Sequence, residues 1–304
     1  MNLLMSVVAC GLIAIIWLDD RNSAPIGGKP LSSPEPLPAP SLTDQKRMEE
    51  PGKEAGPFTV LQNGRVIHSY STFAEAFRLA ESLENASITH RYKERTVWKS
   101  GQVYAEAALI DAPLLQQMPE LARGCEVTSL AMMLQHAGID ADKMQLAREI
   151  QKDPTPYSRK NGVVHFGHPN TGFVGDMYSF SNPGYGVYHK PISKLAEAYL
   201  PGRVIDLTGS DLESALYSLQ QGKPVWVIIN SRFSALPESM FQTWQTPSGP
   251  IRITYREHSV LLTGFDDRFV YFNDPLAEQS PRKAQRASFQ EAWEQMGRQA
   301  ITYS

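Results

Sequence analysis

Residues 123–138 read RGCEVTSLAMMLQHAG and predict one amphipathic helix with a cysteine in its first turn. Apolar side chains recur there at the helical spacing of three and four residues: Val127, Leu130, Ala131 and Leu134. Gly138 follows the last of these positions and can end the helix. The pattern therefore places Cys125 at the amino-terminal tip of a helix.

Cys125 allows two interpretations at this position. Unpaired backbone N–H groups and the positive end of the helix dipole favour a thiolate there, and they can lower a cysteine pKa well below about 8.5. Gly124 would let another segment of the chain approach the sulfur. A single cysteine is also commonly a small, buried apolar residue. The helix alone leaves both the nucleophile and the core residue open.

A cysteine nucleophile needs a base and a group that orients the base. Residues 256–276, REHSVLLTGFDDRFVYFNDPL, read as two strands joined by a turn at residues 266–268. His258 lies at the start of the first strand, and Asp274 follows the second. Each also has a common structural interpretation, as a hydrogen-bonded histidine and as an aspartate that begins a turn before Pro275.

The parity of the two strands decides whether these side chains meet. Successive side chains of a strand point to opposite faces of the sheet. With a three-residue turn, Asp274 stands opposite Val260 and becomes a diagonal neighbour of His258 on the same face. A two-residue turn would place them on opposite faces. Asn273, the residue before Asp274, is the rival orienting group.

Composition indicates a globular protein and argues against nucleic-acid binding. The chain has 304 residues, of which 42% are hydrophobic, enough for a substantial core. Its net charge of −3 gives no basic surface for a nucleic acid. The two cysteines, Cys10 and Cys125, are too few for a disulfide scaffold.

The amino-terminal segment predicts attachment to a membrane. Residues 1–18 carry no charged side chain and approach the length of about 17–25 apolar residues that spans a bilayer. We interpret them as an uncleaved anchor; a degenerate signal peptide or a misplaced start codon would explain them too. Residues 19–57 form a proline-rich linker, which is semi-extended and would hold a folded domain away from the membrane.

Two folded regions are predicted after the linker. Residues 58–100 form a small ββαβ module, with a hairpin turn at Asn63 and Gly64. A module of this size is marginal alone and is expected to pack on its neighbour. Residues 101–304 form the main domain, in which predicted helices precede predicted strands. This order indicates an α+β fold with a helical layer on an antiparallel sheet.

Boundaries follow from the same patterns. Helices are predicted at residues 125–136, 141–151, 192–199 and 211–221. Strands are predicted at residues 224–230, 258–265 and 269–273.

Four segments together resemble the bacteriocin-processing-type cysteine peptidases, family thirty-nine, in their stand-alone bacterial branch. The segments are LARGCEVTSLAMML, GKPVWVIIN, HSVLLTGFDD and VYFNDPL, and the resemblance covers about residues 109–288. It implies a papain-like fold and a Cys–His–Asp triad, with an upstream glutamine as an oxyanion-hole donor. By position it makes Cys125 the nucleophile, His258 the base and Asp274 the orienting group.

Gln117 in LLQQMPEL best matches the glutamine, and Gln116 is the adjacent alternative. The resemblance implies no cofactor and no metal. His165 and His168 could ligate a metal, but neither a nearby cysteine nor an acidic cluster completes a site.

Other residues stay open between functional and structural roles. The loop at residues 172–188, rich in Gly, Tyr and Phe, suits either a substrate-binding loop or an ordered surface loop. Trp226 is predicted in the core, and Trp244 in a loop that lines a cleft. Glu126 could cap the helix, pair with Arg123 or tune Cys125.

These expectations combine into a thiol peptidase that cleaves peptide bonds through a thioester, at the outer face of a bacterial cell. Its partners would be a peptide or protein substrate and a membrane contacted through residues 1–18. The oligomeric state stays open. The same triad could serve an acyl transferase or a cell-wall amidase, and a catalytically inactive, peptidase-like binding module is a further alternative.

Overall fold

The computed structural model describes residues 56–91, 95–102 and 105–304. The predicted anchor at residues 1–18, and the linker as far as residue 55, lie outside the described residues. Within the described ranges, no helix is long and apolar enough to cross a membrane.

The amino-terminal module has the order ββαββ. Its elements are β1 (Phe58–Gln62), β2 (Arg65–Tyr70), α1 (Phe73–Ala80), β3 (Ala86–His90) and β4 (Arg95–Lys99). They form an antiparallel sheet in the order β2-β1-β3-β4, with one strand more than the predicted ββαβ unit. Asn63 and Gly64 both have positive φ, the backbone that a tight hairpin turn requires. Thr72 and Glu75 form a reciprocal capping box that begins α1.

The main domain is a mixed α+β structure. Its helices are α2 (Cys125–His136), α3 (Lys143–Glu149), α4 (His189–Tyr199), α5 (Leu212–Gln220) and α6 (Arg286–Gln295). Its strands are β5 (Ala108–Leu109), β6 (Lys152–Asp153), β7 (Ser158–Lys160), β8 (Val163–His165), β9 (Phe173–Val174), β10 (Val204–Asp206), β11 (Val225–Asn230), β12 (Gln242–Thr246), β13 (Gly249–Ile253), β14 (Glu257–Phe265), β15 (Phe269–Asn273), β16 (Arg282–Gln285) and β17 (Ala300–Tyr303).

An antiparallel sheet of seven strands forms the centre of this domain. Six strands follow the order β10-β17-β11-β14-β15-β16, and β5 also pairs with β14. Smaller sheets join β13-β12-β8-β7 and β6-β9. The bounds of α2 agree with the sequence prediction, whereas α6 and the β12–β13 hairpin are additions. Trp244 lies fully buried in β12, so its predicted place in a cleft-lining loop is wrong.

Strand alternation divides the apolar side chains of the central sheet between two cores. Leu261 and Trp226 join the core that contains α2, whereas Val260 and Val227 join the core that contains α5 and α6. Helices therefore cover both faces of the sheet, not only the face that carries Cys125. Because β14 lies in the centre of the sheet, each of its side chains points toward one of these two cores.

The β14–β15 hairpin has the predicted register at the end away from its turn. Leu261 pairs with Asn273 and Leu262 with Phe272, as a three-residue turn predicts. Near the turn, however, Phe265 pairs with residue 270 and not with residue 269. A β-bulge between residues 262 and 264 absorbs the difference, so the strand faces beyond it are unchanged.

Gly264 lies directly after this bulge, where β5 pairs with β14. A Cβ atom at Gly264 would lie 2.4 Å from the carbonyl oxygen of Ala108, so only glycine fits. The bulge therefore coincides with a close approach of two strands that are far apart in sequence.

The amino-terminal module shares a core with the main domain. Phe58, Phe73 and Trp98 belong to the same buried cluster as Leu212 and Leu216 of α5. A module of about forty residues buries too little surface by itself, and this shared cluster supplies the rest.

Phe73→Ala tests whether the module and the main domain unfold together. Phe73 is buried, so we expect the substitution to lower the free energy of unfolding by about 3–5 kcal/mol within a single transition. Urea unfolding followed by tryptophan fluorescence and by circular dichroism measures this. Val66→Ala, at an exposed position of the same module, is the control and should change it by less than about 0.5 kcal/mol. Two separate transitions would contradict the shared core.

Candidate active site

His258 and Asp274 form a buried pair at the start of β14. The Nε2 atom of His258 lies 2.8 Å from Oδ1 of Asp274, and both side chains are almost fully excluded from solvent. The backbone N–H of Leu276 donates to the same Oδ1 at 2.9 Å, and the Arg282 guanidinium pairs with Oδ2. The alternation of side chains predicted this contact between His258 and Asp274, and the observed pairing of β14 with β15 produces it.

Asp274 stays ionised although it is buried. Burial raises the pKa of this carboxyl, but the hydrogen bond and charge of His258, the Leu276 N–H and the Arg282 charge together hold it below its ordinary value. A carboxylate in this state holds the His258 ring in one orientation.

Asn273, the rival orienting group, faces elsewhere. Its side-chain amide donates to the carbonyl oxygens of Ala112 at 2.8 Å and Pro113 at 3.0 Å. It therefore fastens the segment that precedes α2, and the group in contact with His258 is Asp274.

Cys125 begins α2 and lies beside β14. The backbone N–H of Ser259, the residue after His258, faces the Cys125 sulfur and favours its thiolate. The thiol itself donates to Oε2 of Glu126 at 3.3 Å. Gly124 is needed beside it because a Cβ there would lie 2.6 Å from the Leu121 side chain, and not because another chain approaches the sulfur.

The pKa of the Cys125 thiol is raised, although its place at a helix tip would by itself favour a lower value. Burial raises the pKa of the thiol well above its ordinary value, and the nearby charges of Glu126 and Glu257 raise it further. The Ser259 N–H opposes them but is outweighed. Burial and the two carboxyl groups therefore outweigh the stabilisation that a helix tip gives to a thiolate.

Two carboxyl groups lie against the cysteine. The Sγ atom of Cys125 and one carboxylate oxygen each of Glu126 and Glu257 lie within 4.8 Å of one another. Burial raises the pKa of Glu126 to about 7, while burial and the charge of Glu126 raise that of Glu257 well above its ordinary value. Among the described residues, this is also the group whose donor atoms are close enough to hold a metal ion.

Glu126 connects the cysteine to the loop at residues 172–188. Its Oε1 accepts a hydrogen bond of 2.7 Å from the backbone N–H of Val187. A Cβ at Gly186 would lie 2.3 Å from that oxygen, so the loop backbone passes directly over the carboxylate. Of the three roles considered for Glu126, contact with Cys125 is the one that the geometry provides.

Arg123 holds another part of this loop. Its guanidinium donates to the carbonyl oxygens of Asp176 and Ser179, and it lies 4.9 Å from the centre of the Phe180 ring. Its backbone N–H donates to the carbonyl oxygen of Met177 at 2.9 Å. Phe180 is 67% exposed, so the loop presents an apolar side chain to solvent next to the tip of α2.

Gln117 is buried and Gln116 is exposed. The backbone N–H of Gln117 donates to the carbonyl oxygen of Pro275, which places it beside the Asp274 segment. Its side-chain amide donates to the carbonyl oxygens of Leu121 at 3.1 Å and Ala122 at 3.3 Å. The amide is therefore near the tip of α2 and bound to the backbone that precedes Cys125.

His165 and His168, the two histidines considered as metal ligands, lie outside this cluster. Nδ1 of His168 accepts from the backbone N–H of Asn170, and the backbone N–H of His168 donates to Asp153, so this residue closes a loop. His165 ends β8. Trp226 is buried as predicted, and its Nε1 donates to the carbonyl oxygen of Glu126.

Glu257 is the residue near the site that sequence reasoning missed. The alternation of side chains along β14 could have identified it. Glu257 and Ser259 lie on either side of His258 in the strand, so they must face α2 when His258 faces Asp274. Arg282 gave no comparable signal, since its contact with Asp274 depends on the loop that joins β15 to β16.

Comparison with known proteins agrees with this architecture. The model of the Peptidase_C39 like family matches residues 109–301. The uncharacterised protein YvpB of Bacillus subtilis (strain 168) is 48% identical over 202 residues, covering 66% of this chain and 77% of YvpB. A crystal structure of a proposed C39-like peptidase from Bacillus anthracis is also similar, with 49% sequence identity and a TM-score of 0.61. It matches over 66% of this chain and 98% of its own. The chain belongs to the Peptidase_C39 like family.

Proposed function

We propose that this protein is a thiol peptidase that hydrolyses peptide bonds through Cys125, His258 and Asp274. The observation that carries the proposal is the buried His258–Asp274 pair, placed one residue from the Ser259 N–H that faces Cys125. A histidine held by a carboxylate and a cysteine on a helix tip are the components that thiol nucleophiles use. Membership of a peptidase-like family supports the same chemistry.

The reaction would proceed by acyl transfer. His258 points to the face of β14 opposite the one that meets Cys125, so the two side chains would first have to approach each other. His258, held through Nε2 by Asp274, would then accept the thiol proton at Nδ1, and the Cys125 sulfur would attack the peptide carbonyl carbon. The C–N bond then breaks, the amine leaves with the proton from His258, and an acyl thioester remains. Water attacks the thioester, returns a proton to the imidazole and releases the acid. Asp274 fixes the ring and stays ionised throughout.

The oxyanion would be stabilised by the backbone N–H of Cys125 and the side-chain amide of Gln117. Each such donor is worth about 2.7–4 kcal/mol in comparable enzymes. The Gln117 amide now donates to the carbonyl oxygens of Leu121 and Ala122, so it would exchange one of these bonds for the oxyanion.

The proposed location is the outer face of a bacterial cell. It rests on the uncharged run at residues 1–18 and on the proline-rich linker that follows. The substrate would be a peptide or protein that reaches the loop at residues 172–188.

The raised pKa of Cys125 favours a second candidate function, a peptide-binding module with an unreactive cysteine. Hydrolysis distinguishes the two candidates, because both bind peptide and only the peptidase cleaves it.

Cys125→Ala is expected to abolish cleavage of a peptide mixture by the full chain, followed by mass spectrometry. His258→Ala should lower the rate by about 10²–10⁴-fold, since it removes the general base. His68→Ala, in β2 of the small module, is the matched control and should retain the wild-type rate. Cleavage that persists in Cys125→Ala would overturn the proposal. Peptides bound but never cleaved by the wild type would favour the binding module.

Asp274→Asn and Asn273→Ala should separate catalysis from stability. Asp274→Asn removes the charge that orients His258, so we expect kcat/KM to fall by up to about 10⁴-fold. Asn273→Ala leaves two backbone carbonyls without their donor, so we expect the free energy of unfolding to fall by about 1–3 kcal/mol. Activity per folded molecule should survive this second change. The reverse pattern would make Asn273 the orienting group.

A further inference from the structure

The proposed mechanism gives no role to the two carboxyl groups beside the nucleophile. Glu126 accepts the Cys125 thiol on one oxygen and the Val187 N–H on the other. Glu257 lies on the adjacent strand, immediately before His258. Groups this close, shielded from water, cannot all carry a negative charge without a large electrostatic cost.

One oxygen of the pair lacks a donor. Oε1 of Glu257 is buried and makes no hydrogen bond to the described residues. A buried carboxylate oxygen without a donor is unfavourable, whereas a carboxyl group that holds a proton has its own O–H and less charge to solvate. A proton held between Glu126 and Glu257 would lower both the charge of the pair and the number of donors it needs.

We propose that Glu126 and Glu257 share one proton and act as a positioning pair for Cys125, which they keep as a thiol while Glu126 anchors the loop at residues 172–188. The proposal rests on Cys125 being the nucleophile of the proposed peptidase, and adds how that nucleophile is held before substrate arrives. Loss of the pair's charge, by protonation or by contact with a cationic group, would release the thiol to His258.

The other titratable groups around the pair do not offset its charge. Tyr185 and Tyr188, on the loop above it, share a hydroxyl–hydroxyl hydrogen bond of 2.7 Å, and burial raises the pKa of both. The guanidinium of Arg123 is bound to the Asp176 and Ser179 carbonyl oxygens of the loop. The sulfur therefore faces the carboxyl pair with the Ser259 N–H as its favourable partner.

The rate of Cys125 alkylation by iodoacetamide against pH tests the proposal. The chain has two cysteines, so the full chain in detergent carries Cys10→Ser to confine labelling to Cys125. Glu126→Gln keeps the size and the hydrogen-bonding oxygen but removes the charge. We expect the midpoint of the profile to fall by about one pH unit, which is about a tenfold faster reaction at pH 7. Glu257→Gln should shift the midpoint in the same direction.

Charge is separated from shape by a conservative variant. Glu126→Asp keeps the charge and should retain a raised midpoint, whereas a purely structural role would make Asp and Gln equivalent. Glu149→Gln, at an exposed position of α3, is the matched control and should leave the profile unchanged. If Glu126→Gln does not fold, Glu257→Gln decides. An unchanged profile in the variant that folds would overturn the proposal.

Stability against pH gives an independent readout. The folded pKa of Glu126 is raised from 4.5 to about 7, so the folded state binds more protons than the unfolded state between these values. This contribution to stability is therefore present at low pH and is lost as pH rises toward 7. Glu126→Gln removes it, so the stability of the variant relative to wild type should rise across that window. A constant difference would contradict a raised pKa.

The outcomes distinguish this proposal from the peptidase assignment. Hydrolysis that depends on Cys125 and His258, with no effect of Glu126→Gln on the alkylation profile, would overturn only the positioning pair. A shifted profile without hydrolysis would support the pair and overturn the peptidase. A wild-type profile that changes when EDTA is added would assign the effect to a bound metal ion and overturn the shared proton.

Discussion

The alternation of side chains along β14 is the constraint on which the site depends. His258 must face Asp274, so its neighbours Glu257 and Ser259 must face α2 and Cys125. One strand therefore presents an imidazole on one face, and a carboxyl group and a backbone donor on the other. The same alternation assigns Leu261 to one core and Val260 to the other, so the site cannot shift register without exposing apolar side chains.

Sequence reasoning succeeded where the controlling interactions are local. The limits of α2 follow from apolar spacing and Gly138, and the meeting of His258 with Asp274 follows from strand parity. The turn of the same hairpin could not be predicted, because its bulge accompanies the crossing of β5 at Gly264, a contact between distant segments. Trp244 was misplaced for a similar reason, since its strand pairs with β8, far away in the sequence.

The state of Cys125 shows the same division between local and distant causes. A helix tip is a local feature, and its unpaired N–H groups and dipole taken alone favour a thiolate. Burial, the charge of the adjacent Glu126 and the charge of Glu257 on β14 raise the pKa of the thiol instead, and of these only Glu126 is local in the sequence. The choice between Gln117 and Gln116 likewise needed tertiary packing, which buries the first and leaves the second exposed.

The pKa of Asp274 is lowered, whereas the pKa values of Glu126 and Glu257 on the other side of β14 are raised, because the carboxyl groups have different donors. Burial raises the pKa of Asp274, yet an imidazole, a backbone N–H and a guanidinium hold it ionised. Glu126 and Glu257 are also shielded from water, but they have each other as close neighbours, and Oε1 of Glu257 has no donor. Residue type alone therefore does not decide whether the pKa of a buried carboxyl is lowered or raised; the donors supplied by neighbouring segments do. If so, the reactivity of Cys125 depends as much on what approaches the Glu126–Glu257 face as on His258.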